Sequence, residues 1–124
     1  MIGMLTGTIA QTTHNPIIVN VHGVGYAVFI PARTVTQLHL NGTSTFFIHT
    51  HVSDDALDLY GFLSQDELDL FKLLLTVSGI GPRTAIAITD RGASAIQTAI
   101  MTSDVDFFTT IPRLGRKNAQ KIII

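Results

Sequence analysis

The stretch Ser78-Gly79-Ile80-Gly81-Pro82-Arg83-Thr84-Ala85 constrains this chain most. Before it, Leu68, Phe71, Leu74 and Leu75 recur at helical spacing, and after it Ala85 to Ile88 form a small apolar run. The pattern predicts two helices joined by a tight Gly-Ile-Gly turn. Glycine supplies positive φ and lets another backbone approach closely. Pro82 suits the first position of a helix, where no N–H is needed. The amides at that helix start carry partial positive charge and fit a phosphate. Arg83 stands beside them.

The pattern returns 34 residues later as Pro112-Arg113-Leu114-Gly115-Arg116-Lys117-Asn118-Ala119. Val77 aligns with Ile111, Ile80 with Leu114, Gly81 with Gly115, Arg83 with Lys117 and Ala85 with Ala119. One such copy reads equally well as an ordinary helix–turn–helix corner. Two copies at one offset, each followed by a cation, read as a tandem helix-hairpin-helix that grips nucleic-acid backbone. The expected contacts are Ser78, Gly79, Ile80, Gly81 and Arg83 in the first hairpin. In the second they are Arg113, Gly115, Arg116 and Lys117, with Lys121 one turn further on.

Charge supports this by its distribution. The net charge is only −1, yet of eight Lys and Arg only Arg33 precedes residue 63. A local basic footprint matters more for nucleic acid than the net value. Cysteine is absent, which removes disulfide and thiolate chemistry and fits a reducing cytoplasm. No signal-peptide pattern opens the chain, and no apolar run approaches the roughly 18 residues that span a bilayer. No membrane partner is expected.

Residues 1–62 read as strands. Met4 to Gln11, Pro16 to Val21, Tyr26 to Pro31, Thr45 to Val52 and Leu57 to Phe62 are β-branched or alternating runs. Asn15-Pro16, His22-Gly23 and Asn41-Gly42 are turn signals, and Arg33 to Leu38 fits a short helix. Five strands with one short helix predict a small closed barrel, an OB-fold. Residues 63–124 switch to helical period. Ser64 to Glu67 and Ser94 to Gln97 match capping boxes, and Ser103 is expected to cap a helix carrying Val105, Phe107 and Phe108. The fold class is thus α+β: a five-stranded OB barrel, then an all-α tandem helix-hairpin-helix domain. The last residues, Lys121 to Ile124, stop inside a helical pattern without a cap, which reads as an incomplete chain.

Other chemistry is faint. No phosphate-cradling Walker loop appears, so no ATP site and no cofactor are expected. His49 and His51 would share a strand face, but spacing places no third metal ligand. Ser53, near His51 and Asp54, fits a polar loop better than a triad. Asp54 and Asp55 fall at the tip between the last two strands, where a solvated turn is the plain reading.

Beyond these elements, four segments resemble the RuvA family, the Holliday-junction-binding subunits of bacterial RuvAB branch-migration complexes. They are Met1-Ile2-Gly3-x-Leu5-x-Gly7, Gly23-Val24-Gly25-Tyr26-x-Val28, Asp54-Asp55-Ala56-x-x-Leu59-Tyr60-Gly61-Phe62, and Gly79-Ile80-Gly81-Pro82. The resemblance runs along all 124 residues. It implies an OB domain over residues 1–62 that oligomerises, a DNA-binding domain over residues 63–124, and a homotetramer, with one or two tetramers on a junction. It also implies that Asp54 and Asp55 are an acidic pin at the junction centre. The implied protein has no catalytic site of its own and serves the ATP-dependent motor RuvB in recombination and repair, including the SOS response.

Three departures carry expectations. Arg113 stands where the family has the second hairpin's first glycine. Arginine tolerates positive φ poorly, which predicts a distorted or weaker turn. Asn118 replaces a threonine. The family's third domain, which docks RuvB, has no counterpart up to Ile124, so motor coupling is not expected of these residues. Two alternatives remain open from the residues alone. One is a general single-stranded-DNA-binding OB module, disfavoured by the barrel half's scant positive charge. The other is a metal-dependent nuclease using Asp54, Asp55 and Asp58.

Overall fold

The computed structural model describes residues 1–124. Five strands come first: β1 (Met4–Gln11), β2 (Ile17–Val21), β3 (Val24–Phe29), β4 (Thr43–Val52) and β5 (Leu57–Phe62). A short helix, α1 (Ala32–Val35), lies between β3 and β4. The strands close in the order β1-β2-β3-β5-β4, and only the β3–β5 pair is parallel. This is the five-stranded OB barrel that the strand signals predict.

Local chemistry sets the boundaries. His22 and Gly23 both take positive φ, 50° and 92°, the geometry of a two-residue hairpin turn that matches strand twist. The Asn20 side chain accepts from the Gly23 N–H at 2.8 Å. β3 therefore starts at Val24, two residues before the expected Tyr26. It stops at Phe29, before Pro31, which has no N–H for a ladder and instead caps α1. The helix expected over Arg33 to Leu38 is accordingly shorter and one residue earlier. Asn15 ties the β1–β2 connection to the end of β3: its amide donates to the Ile30 carbonyl (2.7 Å) and accepts from the Ile30 N–H (3.1 Å).

Alternation along the strands fills the barrel. Leu5, Ile9, Ile17, Val19, Val28, Phe46, Ile48 and Leu59 are buried together. Gly61 permits this packing, since a Cβ there would lie 2.6 Å from Val28 Cγ1 and 3.1 Å from Ile48 Cδ1.

Helices follow: α2 (Gln65–Leu75), α3 (Pro82–Thr89), α4 (Ala93–Met101), α5 (Val105–Thr109) and α6 (Arg116–Ile123). The chain divides into two compact units, Met1–Leu68 and Asp69–Ile124. Ser64 caps α2 as its box predicts, with its hydroxyl accepting from the Glu67 N–H at 3.2 Å. Two other expected caps are corrected. α4 starts at Ala93 behind Gly92 (φ 92°), so Ser94 lies inside the first turn and caps nothing. Asp104, not Ser103, caps α5 by accepting from the Phe107 N–H at 3.1 Å. Ser103 takes positive φ in the preceding turn. The helical unit buries Ile80, Ala85, Ile88, Ile96, Ala99, Phe108, Ile111, Leu114 and Ala119. No helix is long and apolar enough to cross a membrane.

Candidate nucleic-acid interface

The two hairpins coincide residue by residue. The Ile80 N–H donates to the Val77 carbonyl (3.1 Å), and the Leu114 N–H donates to the Ile111 carbonyl (3.2 Å). Ile80 and Leu114, nearly buried, plug the turns from inside. Gly79 takes φ 88° and Arg113 takes φ 70°. The expected distortion of the second turn is absent: arginine is held in the left-handed conformation that glycine occupies in the first. That leaves Arg113 as a strained residue on an exposed turn.

Each turn delivers a helix start. Gly81 (φ −95°, ψ 179°) and Gly115 (φ −79°, ψ 165°) are the N-caps of α3 and α6. The carbonyls of both accept the first helical bond, from Ala85 and Ala119, each at 2.9 Å. Neither helix start receives a side-chain cap. Neither φ requires glycine, and a Cβ on either residue would meet nothing within 4 Å. Ser, Asp or Asn at these positions would satisfy an amide and strengthen the helix. Glycine there leaves uncapped amides behind an open, side-chain-free approach.

The two turns also meet. Asn118, in the first turn of α6, donates to the Gly79 carbonyl at 3.4 Å. A Cβ on Gly79 would lie 2.8 Å from Asn118 Oδ1. Gly79 therefore answers two demands, left-handed backbone and close approach. Asn118, which looks like a minor change in sequence, braces one hairpin against the other.

Around the helix starts, Ser78, Arg83, Arg113, Arg116 and Lys117 are exposed, and Lys121 is half-buried. Arg116 pairs with Asp106 at 2.9 Å across an exposed surface. Such a pair contributes little and yields to a better anion. Arg91, counted in the basic footprint, is turned to structure: its guanidinium donates to Thr110 Oγ1 and to the Thr110 carbonyl, each at 3.1 Å. No local pattern links positions 91 and 110, or 106 and 116, so sequence reasoning misses both pairings.

The acidic pair lies in the barrel unit. Asp54 and Asp55 form the tip of the β4–β5 hairpin and are exposed. Ser53 and Ala56 close the turn with reciprocal backbone bonds of 2.8 and 3.4 Å. His49 and His51 do share a strand face, with ring centroids 6.3 Å apart. No group of three His, Asp or Glu side chains is arranged to hold a metal ion. Asp54, Asp55 and Asp58 are thus not gathered as the nuclease alternative requires.

Comparison with known proteins agrees with this anatomy. A family model described as the RuvA N terminal domain matches residues 1–61. A second, described as a SAM-like helix-hairpin-helix tandem, matches residues 71–124. Among relatives named Holliday junction branch migration complex subunit RuvA, that of Pelobacter propionicus is 42% identical over 125 residues, which cover 100% of this chain and 63% of the relative. The Syntrophotalea carbinolica relative is 39% identical, with 100% and 64% covered. The Rickettsia bellii relative is 40% identical, with 99% and 61% covered. The chain spans less than two thirds of the length of these relatives.

Proposed function

The chain belongs to the RuvA family, and we propose that it binds four-way DNA junctions as a non-catalytic subunit of a branch-migration complex. One observation carries the reading: two superimposable turns present glycine-capped helix starts that neither packing nor backbone geometry requires to be glycine. A phosphate accepts from such amides, and Arg83, Arg113, Arg116, Lys117 and Lys121 supply charge around them. Backbone contacts of this kind read shape and not sequence. Asp54 and Asp55 act as the pin: their carboxylates repel converging phosphates and favour open, separated strands. The assembly is a cytoplasmic homotetramer of fourfold symmetry on the junction, with RuvB as the motor that the complex serves. The relatives' residues beyond the matched region are where we place motor docking.

The test is an electrophoretic comparison of junction, duplex and single strand at fixed salt. Junction is expected to bind best, with affinity falling at a log–log slope of about −0.9 per phosphate neutralised. Gly81→Asp with Gly115→Asp should cap both helices, preserve the fold and abolish binding. Equal affinity for junction and duplex overturns the reading, and preference for single strand favours the OB-module alternative. With RuvB, ATP and magnesium, residues 1–124 should bind a synthetic junction without driving its migration. Efficient migration overturns the motor assignment alone.

A further inference from the structure

The β4–β5 hairpin runs out beyond its barrel. β1 pairs with β4 only from Thr43 to Phe47, and β3 pairs with β5 only at Leu59 and Tyr60. Thr50 is still held, its hydroxyl donating to the Ile2 carbonyl at 2.7 Å. Past it, His51↔Asp58 and Val52↔Leu57 pair only with each other. This two-stranded end has two unlike faces. His51 and Asp58 lie on one. Val52 and Leu57 lie on the other, which continues the inward stripe of Ile48 and Leu59. Inside the barrel that stripe is buried, with Ile48 at 3% and Leu59 at 4% exposure; on the free end Val52 is 60% and Leu57 64% exposed.

We propose that Val52 and Leu57 form an apolar wedge that stacks on base faces at the crossover of the bound junction. The inference rests on the reading of the chain as a junction binder. Directly across the ladder, the two side chains form one continuous apolar surface. Asp54 and Asp55 stand immediately beyond it and repel phosphate, so nucleic acid meets this end with its bases. An unstacked base offers both things the end can use. Its face is apolar and suits Val52 and Leu57, while its exocyclic amino edge donates to a carboxylate, as cytosine N4 does to Asp. Base faces open only where stacking is interrupted, which is the crossover. Apolar side chains inserted at base steps unstack them in other nucleic-acid complexes.

The test places 2-aminopurine, whose fluorescence rises on unstacking, in the pair beside the crossover of a synthetic junction. Saturating protein should raise the signal. Val52→Thr with Leu57→Thr leaves strand-favouring β-branched residues at both ladder positions but removes apolar surface; it should lose most of the rise while leaving duplex affinity unchanged. Leu57→Phe should keep or enlarge the rise. Far-ultraviolet circular dichroism and sedimentation report fold and mass for each variant. A parent that binds the junction without raising the signal overturns the wedge and leaves the junction reading intact. A double threonine variant that keeps the full rise also overturns it. A change of oligomeric mass with an unchanged rise assigns the pair to a contact between copies. Failure of the parent to bind the junction at all overturns both readings.

Discussion

Arg113→Gly should stabilise the protein while weakening its hold on DNA. Arg113 sits at φ 70° where the equivalent Gly79 sits at φ 88°. An L-residue pays roughly 1–2 kcal/mol for left-handed backbone. Glycine removes that strain but gives the unfolded chain more freedom, at about 0.4–1 kcal/mol. The net gain is about 0.5–1 kcal/mol, or roughly 2–8 °C in melting temperature for a domain of this size. Arg113→Ala isolates the cause, because it removes the same guanidinium and keeps a Cβ in the strained turn. The two variants should therefore lose DNA affinity alike, each with a salt slope shallower by about 0.9 if Arg113 meets one phosphate. Only the glycine variant should melt later than the parent. The assays are thermal melting by circular dichroism and junction titration over a salt series. If glycine and alanine variants melt together, the strain is not there. If both bind as the parent does, Arg113 is no contact.

Asp54→Asn with Asp55→Asn should raise affinity for plain duplex and narrow junction selectivity, most at low salt, where phosphate repulsion is least screened; unchanged duplex binding in titration returns the tip to a solvated turn. Gly79→Ala should destabilise by about 1–3 kcal/mol, combining a left-handed alanine with the clash against Asn118. Adding Asn118→Ala should recover part of that loss, and strict additivity in urea unfolding would show that the two turns do not touch. Gly61→Ala should cost about 1–3 kcal/mol by overpacking against Val28 and Ile48, read as a lower urea midpoint with an unchanged slope.

Much of the fold was legible because each signal is local. Alternation or β-branched composition between turn signals identifies all five strands, and β1 and β5 run over the expected Met4–Gln11 and Leu57–Phe62. Errors fall where two local signals compete. Ser94 has the correct partner three residues on, yet the positive φ available to Gly92 starts the helix two residues early. Ser103 and Asp104 are both good caps, and the chain spends Ser103 on the turn. The parallel β3–β5 pairing and the projection of the last hairpin depend on which strands pair, and no single segment states that.

The candidate site shows the same division more sharply. Repetition at one offset is visible in letters, so both turns and both helix starts are legible from sequence. What letters cannot separate is why each glycine is there. Gly79 is needed by the fold, for its φ and for Asn118. Gly81 and Gly115 are not: their φ suits any residue and their surroundings are empty. A glycine the fold needs marks the scaffold of a turn, and the two it does not need stand where the proposed phosphate contacts call for an open approach. On that criterion Arg113 is the informative exception. It occupies the scaffold position, accepts the strain there, and places a cation where the first hairpin has only hydrogen. The second hairpin thus exchanges stability for charge, and the opposing shifts expected of Arg113→Gly measure both sides of that exchange in one variant.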